Sequence, residues 1–275
     1  MLCFPNAKIN IGLNITEKRN DGYHNIESLF YPVGICDALE IVADESRRPG
    51  EFSFSNSGTA VDCPTDKNLV VKAYQLLYPI YHLPAVKIFL HKLIPFGGGL
   101  GGGSSDAAAA LILLNQVFSL DIDFEMLKAY ASQLGSDCPF FIQNTPAMVG
   151  GRGETLKPAA ISLKGLWITI VTPPFGVSTA KAYREIVPSK PQFNIAENIH
   201  LPVNEWNDKI VNDFEKPIFN IYPELKSLKE KLFEYGALYA SMSGSGSSVY
   251  GIFNSCPDVD SQTFSPYFSW TGELL

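Results

Sequence analysis

Six glycines stand within seven positions in the run Pro95-Phe96-Gly97-Gly98-Gly99-Leu100-Gly101-Gly102-Gly103-Ser104-Ser105-Asp106. Glycine reaches positive φ freely and, lacking a β-carbon, lets backbone amides come close to a bulky ligand. The run lies between an alternating apolar stretch, Val86 to Leu93, and an Ala- and Leu-rich stretch from Ser105 to Phe118. These read as a strand ended by Pro95 and as a helix, so free amides and a helix N-terminus would converge on one place. That arrangement suits an anion, phosphate above all. A flexible linker is the bland alternative, but ordering so many glycines costs chain entropy, and a linker has no reason to launch directly into a helix. Asp137 is a second residue that could do chemistry. It follows a predicted helix and precedes Cys138-Pro139-Phe140-Phe141, an apolar setting where a carboxylate could serve as a general base or merely cap a turn. Lys8 is a third, set on a strand opposite its apolar stripe, where solvent exposure is the ordinary expectation.

Three phosphate-binding patterns compete for the loop. Gly97, Gly99 and Gly102 satisfy G-x-G-x-x-G, but that fingerprint needs an acidic residue ending the next strand about 20 residues on. Asp121 stands at that distance with only helical sequence between. A P-loop needs a lysine after its last glycine, and Ser104 follows Gly103 here. The longer pattern, Pro-x-Gly-Gly-Gly-Leu-Gly-Gly-Gly-Ser-Ser, remains.

The elements that must position these residues can be read from periodicity. Ile9, Ile11, Leu13 and Ile15 alternate within 7–15, which predicts a half-buried strand. A polar turn covers 17–24, and a second strand is expected over 38–42. Helices are expected over 68–78, 105–118, 124–134, 179–186, 207–214 and 223–235. Strands are expected over 86–93, 166–171 and, last, 247–253. Residues 150–158 read as a polar turn region and 188–202 as loop. The irregular mixture of strands and helices indicates an α+β fold rather than a doubly wound sheet. A soft boundary near residue 155 divides it into 1–155, nucleotide-binding, and 156–275.

Composition narrows the classes. Of 275 residues, 46% are apolar and 18% charged, enough for a packed core and unlike a disordered chain. The net charge is −7, from 21 basic and 28 acidic residues, and the basic ones are scattered, which argues against nucleic acid as a partner. Five widely spaced cysteines suggest reduced, buried thiols rather than disulfides or a zinc site. The longest apolar run, 107–114, falls short of the ~18 residues that span a bilayer. A cytoplasmic protein with no membrane partner is the expectation.

The long glycine pattern resembles the nucleotide loop of the galactokinase, homoserine kinase, mevalonate kinase and phosphomevalonate kinase (GHMP) superfamily. Pro5-Asn6-Ala7-Lys8-Ile9-Asn10 is similar to the superfamily's first motif, and Met242-Ser243-Gly244-Ser245-Gly246-Ser247 to its third. Within it, Asp21-Gly22-Tyr23-His24 and Leu134-Gly135-Ser136-Asp137-Cys138-Pro139 resemble the family whose members phosphorylate the 2-hydroxyl of a cytidine-diphosphate-linked methylerythritol, in the non-mevalonate route to isoprenoid precursors. Cys138 departs from the aliphatic residue expected there.

The resemblance implies a two-domain GHMP-type fold with its active site in the cleft between the halves, and ATP with Mg²⁺ as cofactors. It implies Pro95, Gly97 to Gly99, Leu100, Gly101 to Gly103, Ser104, Ser105 and Asn68 as ATP contacts. Asp137 would be the catalytic base, with Lys8 beside it holding the carboxylate ionised. Asn10, Tyr23, His24, Asp137 and Tyr183 would meet the substrate, with the cytosine ring between Tyr23 and Tyr183 and His24 at its polar edge. Asp106 is left between a functional role and a plain helix-terminus charge, and no carboxylate declares itself as a metal ligand. A kinase for another alcohol and a non-catalytic sugar-sensing relative are the alternatives. Asp21-Gly22-Tyr23-His24 argues against the first, and Lys8 together with Asp137 against the second.

Overall fold

The computed structural model describes residues 1–59, 63–260 and 262–274. In chain order its elements are β1 (Leu2–Cys3), β2 (Asn6–Lys18), β3 (His24–Cys36), β4 (Ala38–Ala43), β5 (Phe52–Gly58), α1 (Leu69–Tyr81), β6 (Val86–Lys92), α2 (Gly102–Val117) and α3 (Phe124–Leu134). Then come α4 (Cys138–Gln143), β7 (Ala147–Gly150), β8 (Thr155–Pro158), β9 (Trp167–Thr172), α5 (Thr179–Arg184) and α6 (Ile195–Asn198). The chain ends with α7 (Glu215–Ile221), α8 (Pro223–Glu234), β10 (Tyr239–Met242), β11 (Val249–Phe253) and β12 (Phe268–Glu273). The α+β expectation holds.

Two compact units interleave along the sequence. The first comprises Met1–Ala7, Ile35–Phe96 and Gly101–Thr145, and the second Lys8–Gly34, Gly97–Leu100 and Pro146–Leu275. In the first unit α2 lies against β4 and β1 of a sheet of order β1-β4-β6-β5, and α1, α3 and α4 pack on α2. Strand β6 alternates strictly, with Val86, Ile88, Leu90 and Lys92 turned inward. It pairs antiparallel with β4 and parallel with β5. A parallel pair needs a crossover, which α1 supplies. Asn68 starts α1 by accepting a hydrogen bond from Val70 N at 2.9 Å, the standard N-cap contact.

The second unit carries two sheets, β2-β3-β7-β8 and β10-β11-β9-β12. Leu225, Leu228 and Leu232 form the buried stripe of α8, spaced for a helix face laid on β10 and β11.

Several expectations need correction. Strand β2 is buried on both faces from Ala7 to Ile15 rather than on one. Between the polar turn and the strand expected over 38–42, where no element is predicted, lies the 13-residue strand β3. The polar region 150–158 forms the turn, 151–154, and the second strand of a hairpin, β7 to β8. No helix covers 207–214. There the chain turns, with Ile210 N bonded to Trp206 O, and bridges Leu13 through Asn212. Strand β11 is followed by β12, which lies on the other side of β9.

Candidate active site

The glycine run solves a steric problem at alternate residues. Gly97, Gly99 and Gly101 have φ of 73°, 79° and 72°, a region that L side chains rarely adopt. A β-carbon on Gly99 would stand 2.1 Å from the Ser243 carbonyl oxygen, and one on Gly98 would stand 2.5 Å from Ser248 Oγ. Packing therefore explains these glycines. Gly103 is different, because its φ is ordinary and a β-carbon there would meet no atom within 4 Å. Nothing in the surrounding fold therefore requires glycine at this position. Gly101 caps α2, and the amides of Gly102, Gly103 and Ser104 lie in the first turn, where no intrahelical acceptor exists. The helix dipole adds positive potential at the same spot.

In the second unit, all three sequence motifs meet. Lys8 is 3% exposed, against the solvent-facing expectation for a lysine. Its ammonium donates to Asn10 Oδ1 at 2.5 Å and to Gly99 O at 3.1 Å, and lies 4.4 Å from the Phe30 ring centroid. Lys8 N donates to Leu100 O. Asn10 N donates to Ser243 Oγ at 3.2 Å, and Ser243 Oγ donates to Gly99 O at 2.9 Å. The first motif, residues 97–100 and the Ser243 turn are thus one hydrogen-bonded assembly. Asn10 Nδ2 is held by Ser28 Oγ at 2.9 Å, which fixes the amide's direction.

In the first unit, Asp137 occupies the N-cap position of α4 but makes no capping bond, so its carboxylate is not explained by the helix. The turn that carries it abuts the start of α2. A β-carbon on Gly135 would stand 3.2 Å from Cys138 Sγ and 3.9 Å from Ser104 Oγ. Burial pushes the Cys138 thiol up to about 12, so it is a neutral packing group whose small size leaves room for Ser104. Asp106 resolves against the helix-terminus reading. It is buried, pairs with Lys92 at 2.7 Å, and burial pushes its carboxyl up to about 7 against that lysine's pull.

The ring cluster differs from the expected sandwich. His24 stacks on Tyr183 with centroids 5.0 Å apart and planes 15° apart, and Phe214 meets Tyr183 edge-on. Burial, and Lys18 to a lesser degree, hold the His24 imidazole below the ordinary histidine range. Tyr23 is 57% exposed, and the Arg152 guanidinium lies 4.9 Å over its ring. Arg152 and Phe30 were not foreseen. A lone arginine between glycines, Gly151-Arg152-Gly153, was the available signal for the first.

Residues 68–145 match the GHMP kinases N terminal domain and residues 196–261 the GHMP kinases C terminal domain. The chain is 49% identical to the 4-diphosphocytidyl-2-C-methyl-D-erythritol kinase of Parabacteroides distasonis, with 100% of both chains covered. It is 50% identical to the same-named kinase of Azobacteroides pseudotrichonymphae, over 92% of this chain and 93% of that one. A crystal structure of 4-(cytidine 5'-diphospho)-2C-methyl-D-erythritol kinase superposes with a TM-score of 0.86 at 31% identity, covering 100% of this chain and 99% of that one. Mevalonate kinase of Methanococcus jannaschii, at 10% identity and a TM-score of 0.69, shares the fold.

Proposed function

The chain belongs to the 4-diphosphocytidyl-2-C-methyl-D-erythritol kinase family of the GHMP kinases, and from that membership we propose the reaction its residues carry out. It transfers the γ-phosphoryl group of ATP to the 2-hydroxyl of 4-diphosphocytidyl-2-C-methyl-D-erythritol, a step toward isoprenoid precursors. The observation that carries this reading is the open space at Gly103, beside unpaired helix amides and next to the turn that holds Asp137. The β- and γ-phosphates take that space.

Phosphoryl transfer asks a protein chiefly for positioning and charge neutralisation. Asp137 accepts the proton of the substrate's 2-hydroxyl as that oxygen bonds to the γ-phosphorus and the bond to the ADP oxygen breaks. Lys8 offsets the charge developing on the transferred group. Gly99 O and Asn10 hold the Lys8 ammonium in place, and Asn10, fixed by Ser28, also faces the alcohol. Tyr23, His24 and Tyr183 take the cytosine, the neutral imidazole reading its polar edge.

Among the described residues no three His, Cys, Asp or Glu side chains cluster as a metal cage. A divalent cation would arrive as part of the nucleotide, held by ATP oxygens and water, where it would neutralise phosphate charge. No described helix is long and apolar enough to cross a membrane. ADP release tests the assignment, measured with the cytidylylated alcohol, its uridine analogue, free methylerythritol, mevalonate and homoserine. The cytidylylated alcohol should be preferred. Equal or better turnover of an alcohol without a nucleotide would sink the substrate assignment.

A further inference from the structure

Three charged side chains that the proposed chemistry does not use are buried together in the first unit. Asp37, Lys92 and Asp106 are each 4% exposed or less. Burying charge is costly even when it is paired, and an apolar trio could hold the same elements with less penalty. Their arrangement gives the reason. The Lys92 ammonium donates to Asp37 Oδ2 and, at 2.7 Å, to Asp106 Oδ2. Asp37 Oδ1 accepts from Leu93 N at 2.6 Å and Ile94 N at 2.8 Å. Those two amides belong to the residues by which β6 leads into Pro95 and the glycines. Asp106 belongs to α2, one turn past its start. One ammonium therefore ties the end of the strand to the beginning of the helix. The fit is close, since a β-carbon on Gly102 would stand 2.8 Å from Ile94 Cγ2 and 3.2 Å from Lys92 Nζ.

We propose that Asp37, Lys92 and Asp106 are positioning residues for ATP, a clamp that fixes the start of α2 against Leu93–Ile94. The amides of Gly102, Gly103 and Ser104 are thereby aimed as a set at the nucleotide's phosphates. Hydrogen bonds specify direction and register, which apolar packing leaves loose, and a misplacement of about 1 Å at a reacting centre can cost roughly 10²-fold. Lys92 acts through the helix, being too buried to meet a phosphate itself. The remaining oxygen of Asp106 has no hydrogen-bond partner, so the pair with Lys92 is what holds this side chain. The inference rests on the loop binding ATP.

The test compares Asp106→Asn, which keeps an acceptor for Lys92, with Asp106→Leu, which keeps bulk but removes it. Melting temperature, ADP Kd and the KM of each substrate are measured on the full chain. Asp106→Asn should leave ATP KM and ADP Kd within about threefold of wild type. Asp106→Leu should raise both by roughly tenfold or more, with the KM of the cytidylylated alcohol within about twofold. A merely structural role would lower the melting temperature and the active fraction while leaving both KM values alone, and that result overturns the clamp. Should Asp106→Leu fail to fold, the triple variant Asp37→Asn/Lys92→Met/Asp106→Leu leaves no buried charge and is read the same way. Gly103→Val separates the two levels of the argument. If it keeps ADP affinity, the loop is not the phosphate site. If it loses affinity while Asp106→Leu keeps it, only the clamp is wrong.

Discussion

The surroundings of the glycine run and those of Tyr23 solve recognition in opposite ways. Around the glycines, a β-carbon on Gly98, Gly99 or Gly102 would stand 2.5, 2.1 or 2.8 Å from a neighbouring atom, and Lys8 and Asn10 are buried and cross-bonded. Around Tyr23, the turn is held at the surface by the Arg19–Asp21 ion pair, with Asp21 Oδ1 accepting from Tyr23 N at 3.1 Å. The difference follows from the ligand chemistry. Phosphoryl transfer needs charges and amides already in place, because reorganising them would raise the barrier. A base needs only flat surfaces and one or two directed hydrogen bonds, which exposed rings can supply. Variants of the first region should therefore change kcat or ATP binding, and variants of the second only the KM of the alcohol.

The largest effect is expected at Asp137. Asp137→Asn keeps the size but cannot take the proton, so kcat should fall by roughly 10²-fold or more, with the alcohol's KM little changed. Lys8→Ala should also lower kcat, and the double variant should lose less than the product of the two if the residues act as a unit. Near wild-type kcat in Asp137→Asn would remove the base assignment. Next comes Gly103→Val. A β-carbon there meets no protein atom within 4 Å, so the fold should persist, and a loss of ADP affinity at unchanged melting temperature reports ligand space. An unchanged ADP titration would mean the space is not the phosphates'.

Tyr23→Ala tests the other region. Base–aromatic stacking is worth about 1–3 kcal/mol, so KM for the cytidylylated alcohol should rise roughly 5- to 150-fold while ATP KM holds. His24 adds a pH signature. Its folded pKa is lowered, so the neutral ring persists to lower pH than for a free histidine. The alcohol's KM should therefore stay flat down to about pH 6.5 and climb only below it. His24→Gln should abolish that climb. A rise already complete by neutral pH would mean another group titrates.

What could be read in advance was local. The glycine run, its flanking strand and helix, and α3 each carry their signal within a few consecutive residues. Residues 207–214 misled because Trp206, Ile210 and Phe214 recur at helical spacing and are all buried, yet they sit in turns rather than on one helix. The polar side of β2 misled in the opposite sense. Lys8 and Asn10 look solvent-facing until their partners, Gly99, Ser28 and Ser243, arrive from distant parts of the chain. Asp37, Lys92 and Asp106 were invisible as a group for the same reason. Each is an ordinary surface residue by type, and only the tertiary fold collects them.

The smallest predicted effect is the sharpest test of how Tyr23 works. Arg152 lies over one face of an exposed ring, held in a tight turn where its backbone amide donates to Glu154 Oε2 at 2.6 Å. One face of Tyr23 is therefore occupied, and the base has only the other. A cation on the far face holds the ring in orientation, and at exposed sites such a contact is worth about 0.5–1 kcal/mol. Arg152→Gln should then raise the alcohol's KM by roughly 2- to 5-fold and leave ATP KM and kcat unchanged. The second route is direct attraction of the substrate's diphosphate by the charge, and a double-variant cycle distinguishes the two. If Arg152 works through the ring, Arg152→Gln should have no further effect in a Tyr23→Leu background. If it attracts the diphosphate, the loss should be the same in both backgrounds and should fade as salt is raised. The first outcome makes Arg152 part of the base site; the second moves it to the phosphates and leaves Tyr23 to hold the base by its own packing.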